Sequence, residues 1–179
     1  MMLWSDTKDV VHDFTKKNDS YVTMEDTLLG SVLDGKSWCG KKGSNGTSTI
    51  CCPGRRQCEN NAVDSFWYEA SAAFAEAACG DVTVMLNAAN ATPFDSSSTF
   101  ARFELPRLRY PRVKRLKVVL VTKKNVVTNC KDASLMDLQR NLAAGITYNC
   151  KDVSIVRTPC HLSLSLSLSL SLFLSLCRD

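Results

Sequence analysis

The sequence is poor in the residues and segments that mark several common classes of protein. It has only two histidines, His12 and His161, and no pair of CxxC or HxxxH modules. Structural zinc sites usually take their ligands from such closely spaced pairs, so we expect no metal site. The first ten residues, MMLWSDTKDV, contain no continuous apolar segment. We therefore expect no signal peptide or membrane anchor in this part of the chain.

The charge balance is mild. The formal net charge is +4, from 22 basic and 18 acidic residues, which is too small to indicate nucleic-acid binding. Seven basic side chains nevertheless cluster within sixteen residues: Arg102, Arg107, Arg109, Arg112, Lys114, Arg115 and Lys117. A solvated face is favoured over a polyanion site, because most charge runs are simply surface. A small substrate that carries phosphate would still be attracted to this region.

Cysteine is abundant. The 179 residues include nine cysteines, which favours an oxidising compartment and leaves at least one thiol unpaired within the chain. Three sequons, beginning at Asn18, Asn45 and Asn90, predict glycosylation and agree with a secretory route.

The end of the chain has low complexity. From Leu162 to Leu172 it reads LSLSLSLSLSL, which as a strand would place every leucine on one face. The repeat is too short and too rich in serine for a transmembrane helix, which needs about 20 mostly apolar residues. We predict that residues 154–179 are not part of the fold, and we hypothesise that they are translated from repetitive non-coding sequence. A tail that dips into a membrane is the alternative.

Hydrophobic periodicity divides the remaining chain into helices and strands. Two short helices are predicted in the first third, one carrying Trp4, Val10, Val11 and Phe14, and a second that follows a capping box beginning at Thr23. The pattern then predicts the following elements in order: a loop over 40–61 that a disulfide could pin, a helix over 62–79, strands over 82–86 and 116–122, a helix over 134–144 and a short strand over 146–149.

These elements predict an α/β fold, with a helical N-terminal lobe packed beside a small parallel sheet that is flanked by helices. The strand at 116–122 contains the continuous apolar run Val118–Val121, as expected for a strand buried on both faces. The helix over 62–79 is rich in alanine, and we predict that its buried stripe is formed by Phe66, Ala70, Ala73, Phe74 and Ala77.

Six segments of the chain resemble successive blocks of one known family. They are LWSDTKDVVHDF, TMEDTLLG, LDGKSWCG, CENNAVDSFW, FAEAACGDVTVMLN and STFARFELP. In this order and at these spacings they resemble the ADP-ribosyl cyclase/cyclic ADP-ribose hydrolase family, from about Leu3 to about Val153. Six ordered blocks are far more specific than a single motif. The resemblance implies a partial catalytic domain of this family, stabilised by disulfides, over residues 1–153.

The resemblance implies an enzyme that cleaves the nicotinamide–ribose bond of NAD. The products would be nicotinamide and either ADP-ribose or cyclic ADP-ribose, and cyclic ADP-ribose would also be hydrolysed. NAD is then the substrate, and no separate cofactor, metal or nucleic acid is implied. Family members are type II membrane proteins of the cell surface, and their anchor is not found in this sequence. A homodimer is left open. The alternatives are a catalytically inactive ectodomain fragment that acts as a receptor or adhesion module, and an open reading frame without a stable product.

The resemblance also implies the site residues. Glu104 falls on the catalytic glutamate, and Trp4 and Trp67 fall on the two aromatic side chains of the active site. Breaking the nicotinamide–ribose bond builds positive charge on the ribose, which a carboxylate stabilises, and a cationic nicotinamide stacks on indole. Glu25 resembles the residue that influences whether the intermediate is attacked by water, which gives ADP-ribose, or by the adenine of the same molecule, which gives cyclic ADP-ribose. Four further positions match the pocket: Asp34, Ser71, Thr99 and Phe100.

Two disulfides follow from the resemblance, Cys39 with Cys52 and Cys130 with Cys150. Asp6 stands where some family members have a basic residue near the phosphates of the substrate, which predicts weaker substrate binding.

The remaining cysteines have no pairing implied within the chain. The family partners of Cys58 and Cys79 lie in an N-terminal segment that the sequence lacks, so we expect both thiols to be unpaired. Cys51 is an additional cysteine that could compete for the partner of its neighbour, and Cys160 and Cys177 are not assigned.

Overall fold

A computed structural model describes residues 1–58, 61–122, 127–158 and 161–163 of the chain. The helices are α1 (Lys8–Thr15), α2 (Leu28–Leu33), α3 (Ala62–Glu76) and α4 (Ala133–Asn141). The strands are β1 (Met2–Ser5), β2 (Cys39–Gly40), β3 (Thr47–Ser48), β4 (Gly80–Asn87), β5 (Val113–Thr122), β6 (Thr147–Ser154), β7 (Val156–Thr158) and β8 (His161–Ser163). Three short turns add 3-10 helix at Met24–Asp26 and Leu105–Arg107 and π-helix at Phe100–Glu104.

The main sheet has the order β1-β4-β5-β6, and every neighbouring pair in it is parallel. The predicted unit of strand, helix and strand is confirmed as β5, α4 and β6, so the α/β class with a parallel sheet is correct. Helix α4 begins at Ala133, one residue before its predicted start, and its N-cap is Asp132, whose side chain accepts from Ser134 N at 2.9 Å. Strand β6 continues to Ser154, beyond its predicted end, because β5 pairs with it throughout.

The prediction that Trp4 lies on a helix is wrong. Trp4 lies in β1, where it pairs with Met85 of β4. Val10, Val11 and Phe14 do form the buried face of α1 as predicted. A four-residue strand has too few positions to show an alternating pattern, and the partners of β1 lie in a strand much further along the chain.

Two apolar clusters cover the two faces of the sheet. On one face, Val84 of β4 and Val118 of β5 belong to a cluster that also contains side chains of α3 and α4. Its other buried members include Ala75, Ala78, Val82, Leu86, Leu116, Leu120, Leu135 and Leu138.

The second cluster lies on the opposite face, where Met85 and Val121 join Val10, Val11 and Phe14 of α1. Because helices cover both faces, the central strand β5 needs apolar residues on both sides. This requirement explains the apolar run Val118–Val121 in its second half.

Helix α3 begins at Ala62 as predicted and ends at Glu76, but the predicted stripe is only partly correct: Phe74 packs against the first apolar cluster, and none of the five predicted residues is fully buried. The residues that α3 buries are Ser71, Ala72 and Ala75, whereas Ala73 is exposed, as is Ala77 directly after the helix. Alanine gives little contrast between the faces of a helix, so periodicity alone could not orient it. The buried face therefore includes a serine, which lies at the candidate site described below.

The two disulfides implied by the resemblance are present. Cys39–Cys52 closes the loop that contains the β2–β3 hairpin, and Cys130–Cys150 ties the segment before α4 to β6. The expectation that Cys79 is unpaired is wrong, because Cys79 is disulfide-bonded. That expectation assumed that its partner had to precede the chain. Cys51 and Cys58 are free and exposed.

The predicted boundary of the fold near residue 153 stays a prediction. Ile155 is buried in the same apolar cluster as Val153, and β7 pairs with β8 beyond it. Residues 164–179, which contain most of the serine-leucine repeat, lie outside the described residues, as do Cys160 and Cys177. Among the helices that are described, none is long and apolar enough to cross a membrane.

The three predicted glycosylation sites differ in their surroundings. Asn45 is exposed. The side-chain nitrogen of Asn18 donates to Phe14 O at 2.8 Å, and that of Asn90 donates to Asp6 Oδ2 at 2.9 Å. A glycan on either of these two nitrogens would compete with an existing hydrogen bond. Glycosylation at all three remains a prediction.

The basic cluster lies largely at the surface, in keeping with a solvated face. Arg115 and Lys117 both pair with Asp81, at 3.1 and 2.7 Å. The guanidinium of Arg112 donates to Ala78 O at 3.3 Å. Exposed pairs of this kind contribute little to stability, about 0 to 1 kcal/mol each.

Tyr148 provides a test of the packing of the sheet. Its hydroxyl is buried and has no hydrogen-bond partner within the described part of the chain, and burial raises the pKa of Tyr148. Since this hydroxyl has no partner to lose, we expect Tyr148→Phe to leave the free energy of unfolding unchanged or to raise it by up to about 1 kcal/mol. Urea denaturation measures the difference. Tyr148→Ala is the control and should destabilise by about 3 kcal/mol. A loss above about 1 kcal/mol in Tyr148→Phe would contradict the assignment.

Candidate active site

A cavity of about 340 Å³ lies beside the carboxyl end of β1, between α3 and the π-helical turn. It is lined by every residue that the sequence analysis assigned to the site: Trp4, Glu25, Asp34, Trp67, Ser71, Thr99, Phe100 and Glu104. These residues lie far apart in the sequence and on several different elements. The fold therefore brings the whole predicted set into one place.

The two tryptophans are held by different elements. Trp4 is the third residue of β1, and its Nε1 donates to Glu25 Oε2 at 3.2 Å. Its ring meets His12 edge to face, with the ring centroids 6.4 Å apart. Trp67 lies on α3, where Phe66 packs against it at 5.0 Å and Trp38 packs against Phe66 at 5.5 Å. Each indole is thus supported by a second aromatic ring.

Glu25 lies on a 3-10 turn that the predicted capping box stabilises. Thr23 N and Thr23 Oγ1 both donate to Asp26 Oδ2, at 2.8 and 2.9 Å. The box caps this single turn, and α2 begins separately at Leu28, with Thr27 as its own N-cap. Glu25 is 8% exposed and is directed towards Trp4. The capping box, which the sequence analysis placed at the start of a helix, therefore positions Glu25 in the wall of the cavity.

The π-helical turn Phe100–Glu104 forms another wall of the cavity. It packs against α3, so that Glu104 lies near Ser71, one helical turn beyond Trp67. Thr99 is the N-cap of this turn and Phe100 is its first residue. A π-helical turn is uncommon and is found frequently at functional sites.

Glu104 is the most perturbed group of the cavity. It is 6% exposed, and its Oε2 has no hydrogen-bond partner among the described residues. Burial raises the pKa of Glu104 to about 8; the nearby Ser71 hydroxyl opposes this increase, and the charge of Glu25 adds to it. The Ser71 hydroxyl also lies 3.6 Å from Met24 Sδ, which is a weaker acceptor than a carboxylate.

The raised pKa has a chemical consequence. At neutral pH the Glu104 side chain is largely protonated, and a cation that enters the cavity would favour the carboxylate form. The site can therefore stabilise positive charge that arrives or develops next to Glu104. A carboxyl group with a strongly shifted pKa inside a cavity is typical of catalytic sites.

The cavity contains cations that the sequence analysis missed. Lys8 forms a salt bridge with Asp34. Arg55 donates to both carboxylate oxygens of Asp64, at 3.0 and 2.9 Å, and this hydrogen bonding holds the pKa of Asp64 below its usual range. Both pairs line the cavity, and no local motif marks either of them, because the partners are well separated in the sequence.

Asp6 also lines the cavity, and it forms no salt bridge in the described structure. Its carboxylate accepts from Asn87 Nδ2 at 3.2 Å and from Asn90 Nδ2 at 2.9 Å. Its φ of 56° lies in the left-handed region, which asparagine and aspartate adopt more readily than most residues. The expected weakening of phosphate binding by Asp6 remains a prediction.

Two other aromatic rings complete the neighbourhood. Tyr68 lines the cavity and stacks on Phe103 with the centroids 4.4 Å apart and the planes at 8°. This contact joins α3 to the π-helical turn, and it was not predicted from the sequence.

No group of three or more His, Cys, Asp and Glu side chains suited to a metal ion occurs within the residues that the structure describes.

Burial of Glu104 predicts a dependence of stability on pH. The folded-state pKa is about 8 and the ordinary value is 4.5, so below pH 4.5 the group is protonated in both states and burial carries no ionisation penalty. Between pH 4.5 and about 8 the unfolded chain loses the proton and the folded chain keeps it, so the penalty grows with pH. Glu104→Gln removes this penalty. We expect the variant to gain stability relative to the wild type, by on the order of 2 to 4 kcal/mol at pH 8 and by little at pH 5.

Thermal unfolding at about pH 5, 6.5 and 8 measures this difference. Glu69→Gln, at an exposed position of α3, is the matched control for the loss of a carboxylate and should show no such trend. An equal effect of Glu104→Gln at every pH would contradict the shifted pKa.

The chain matches known sequences over most of its length. A family model described as ADP-ribosyl cyclase matches residues 1–162. The ADP-ribosyl cyclase/cyclic ADP-ribose hydrolase of Aplysia californica is 34% identical over 148 residues, which is 80% of this chain and 52% of that protein. The corresponding protein 1 of Oryctolagus cuniculus is 34% identical over 179 aligned residues, covering 92% of this chain and 59% of the relative. The chain thus spans about half the length of the curated relatives that it matches.

Solved structures agree with these matches. Porcine CD38 with a covalent intermediate, ribo-F-ribose-5′-phosphate, has a TM-score of 0.77 at 37% identity, covering 86% of this chain and 68% of that one. ADP-ribosyl cyclase in complex with N1-cIDPR also has a TM-score of 0.77, at 32% identity, covering 84% of this chain and 62% of that one. The sequence blocks, the parallel sheet and the cavity residues agree with these matches. The chain belongs to the ADP-ribosyl cyclase family.

Proposed function

We propose that this chain cleaves the nicotinamide–ribose bond of NAD, as an NAD glycohydrolase and ADP-ribosyl cyclase, and that it also hydrolyses cyclic ADP-ribose. The observation that carries the proposal is Glu104, a buried carboxyl group with a pKa of about 8 in a cavity that two indole rings also line. This arrangement suits a substrate whose leaving group is a planar cation.

The tryptophans would bind the nicotinamide. Its ring in NAD is aromatic and positively charged, and stacking of such a ring on indole contributes roughly 0.5 to 2 kcal/mol. Trp4 is held by Glu25, and Trp67 is held by Phe66, so neither indole needs to be ordered when the substrate binds. The same positive charge would favour loss of the proton from Glu104, so that binding prepares the carboxylate.

Glu104 would then act on the ribose. As the bond between ribose C1′ and the nicotinamide nitrogen breaks, nicotinamide leaves as a neutral molecule with the bonding electron pair. The Glu104 carboxylate stabilises the positive charge that develops on C1′, and it can form a bond to this carbon. Burial strengthens this interaction, because little water remains to screen it. Ser71 and Thr99 would donate hydrogen bonds to ribose or phosphate oxygens.

The fate of the ribosyl group would depend on Glu25. Attack on C1′ by water gives ADP-ribose, and attack by the adenine of the same molecule gives cyclic ADP-ribose; in either case the bond or contact to Glu104 is released. Glu25 lies in the cavity wall beside Trp4, where it can influence how the adenine approaches. In hydrolysis of cyclic ADP-ribose, the bond between C1′ and the adenine nitrogen would break with the electron pair staying on adenine, the same carboxylate would stabilise the charge on C1′, and water would add to C1′ and release a proton.

The relatives support the proposal. The proteins from Aplysia californica and Oryctolagus cuniculus bear names that give both the cyclase and the hydrolase activity. Porcine CD38 has been solved with a covalent intermediate that contains ribose, which is in keeping with a bond between Glu104 and C1′. We further propose a location at the cell surface, in line with the disulfides of the fold. Homodimer formation, and attachment to a membrane through the anchor found in the family, stay predictions.

Release of nicotinamide from NAD tests the proposed activity. The chain and its Glu104→Gln variant would be expressed through a secretory pathway, and folding would be checked by circular dichroism. We expect release by the wild type and a loss of at least about 100-fold in the variant, because the charge that faces C1′ is removed. Glu69→Gln, outside the cavity, should retain the activity. A folded wild-type chain that binds NAD without releasing nicotinamide would instead support the receptor alternative.

The pH dependence of the reaction tests the role of Glu104 more closely. If the free enzyme must lose the Glu104 proton, kcat/KM for nicotinamide release rises with pH and levels off above about 8. Because the charge of Glu25 contributes to the raised pKa of Glu104, Glu25→Gln should move the midpoint to lower pH. A rate profile that is flat between about pH 6 and 9, or a midpoint that Glu25→Gln does not move, would contradict this assignment.

A further inference from the structure

Helix α2 connects two acidic residues of the cavity. It begins directly after the 3-10 turn that contains Glu25, and its C-cap is Asp34. Both carboxylates line the cavity. Any movement of this six-residue helix would therefore be transmitted to two walls of the site.

Apolar side chains do not hold this helix in place. Gly30 is the one buried residue of α2. Leu28, Leu29 and Val32 are 85%, 58% and 58% exposed. The close contact between α2 and the adjoining 3-10 turn is made by the backbone at Gly30.

That contact leaves no room for a side chain. A Cβ atom added at Gly30 would lie 2.1 Å from Met24 O and 2.9 Å from the Cα of Glu25. Both are backbone atoms of the 3-10 turn, so no rotation of a side chain can relieve the overlap. Gly30 is thus required for close approach of the backbones rather than for an unusual φ.

Hydrogen bonds lock the same junction. Thr27 Oγ1 donates to Met24 O at 2.7 Å, and Gly30 N donates to Thr27 Oγ1 at 3.1 Å. At the other end of the helix, Asp34 N donates to Gly30 O at 2.8 Å. Gly30 is therefore connected through short bonds to the turn that carries Glu25 and to Asp34.

We propose that Gly30 is a positioning residue, which fixes Glu25 against Trp4 and thereby sets the ratio of cyclic to linear product. The inference rests on the proposed function and deepens it. It assigns control of the ratio to a residue that does not itself line the cavity.

The geometry indicates how a substitution would act. To bring the contact with Met24 O from 2.1 to 3.0 Å, the shortest distance that real Cβ atoms show, the turn or the helix must shift by about 0.9 Å. The hydrogen bond from Trp4 Nε1 to Glu25 Oε2 is already 3.2 Å long, so a shift of this size is enough to break it. The indole and the carboxylate would then no longer hold each other in place.

The experiment compares Gly30→Ala with a second variant and a matched control. Thr27→Val removes the hydroxyl that bonds to Met24 and Gly30 while keeping a similar shape, so it loosens the same junction without steric overlap. Gly40→Ala is the control, because a Cβ at Gly40 meets nothing within 4 Å. The measurements are kcat and KM for nicotinamide release and the ratio of cyclic to linear product.

We expect Gly30→Ala to change the product ratio by about tenfold, in the same direction as Glu25→Ala, with a smaller change in nicotinamide release. Thr27→Val should change the ratio in that direction too, and Gly40→Ala should not change it. In a Glu25→Ala background, Gly30→Ala should have no further effect on the ratio. If Gly30→Ala does not fold, Thr27→Val carries the comparison.

A second measurement does not require activity. In protein with ¹⁵N-labelled tryptophan, the indole N–H resonance of Trp4, assigned with Trp4→Phe, should move in Gly30→Ala and in Thr27→Val towards its position in Glu25→Ala. An unchanged resonance, an unchanged ratio, or an equal change of the ratio in the Glu25→Ala background would overturn the proposal. Absence of nicotinamide release by the wild type would instead refute the proposed function, and the resonance would still test the role of Gly30.

Discussion

The burial of Glu104 is the constraint on which the rest of the site depends. A carboxyl group that is 6% exposed, with one oxygen unpartnered among the described residues, is costly to ionise. The fold provides Ser71 on one side and a second carboxylate, Glu25, on the other, and the balance leaves the pKa of Glu104 at about 8. Such a group is poorly suited to stabilising the fold and well suited to stabilising a cation that binds next to it. Stability has to come from elsewhere, chiefly from the two apolar clusters on the faces of the sheet.

The elements that carry Glu104 and Trp4 are tied into the core of the fold. The π-helical turn that carries it is joined to α3 by the stacked rings of Tyr68 and Phe103. On the other side, β1 carries Trp4 as part of the parallel sheet. Glu104 and Trp4 are therefore placed by two elements that the core holds together.

The remaining wall is built differently. The turn with Glu25 and the helix α2 carry few buried apolar side chains, and they depend on hydrogen bonds of the capping box and on the bare backbone of Gly30. A wall of this kind is sensitive to small backbone shifts, because it has no large side chains that can repack.

Local patterns in the sequence were enough for the central strands and for the helices α1, α3 and α4, because these elements have strong periodicity or continuous apolar runs. They were not enough for β1, which has four residues and pairs with a strand far along the chain, or for the buried face of α3, where alanine gives no contrast. The site residues and the two disulfides came from resemblance to a family rather than from periodicity. Cys79 shows the limit of that reasoning, because it was expected to be unpaired and is disulfide-bonded.

The sequence by itself determined the α/β class and the parallel strands, and through the family resemblance it indicated eight of the residues that line the cavity. Only the tertiary structure decided how those residues act on one another: that Glu104 is buried beside Ser71 and Glu25, that Lys8 and Arg55 are already paired, and that Gly30 lies against the turn of Glu25. The physical reason is that a pKa, an ion pair and a steric contact depend on distances between atoms and on the exclusion of water. Both are set by packing between segments that are far apart in the chain.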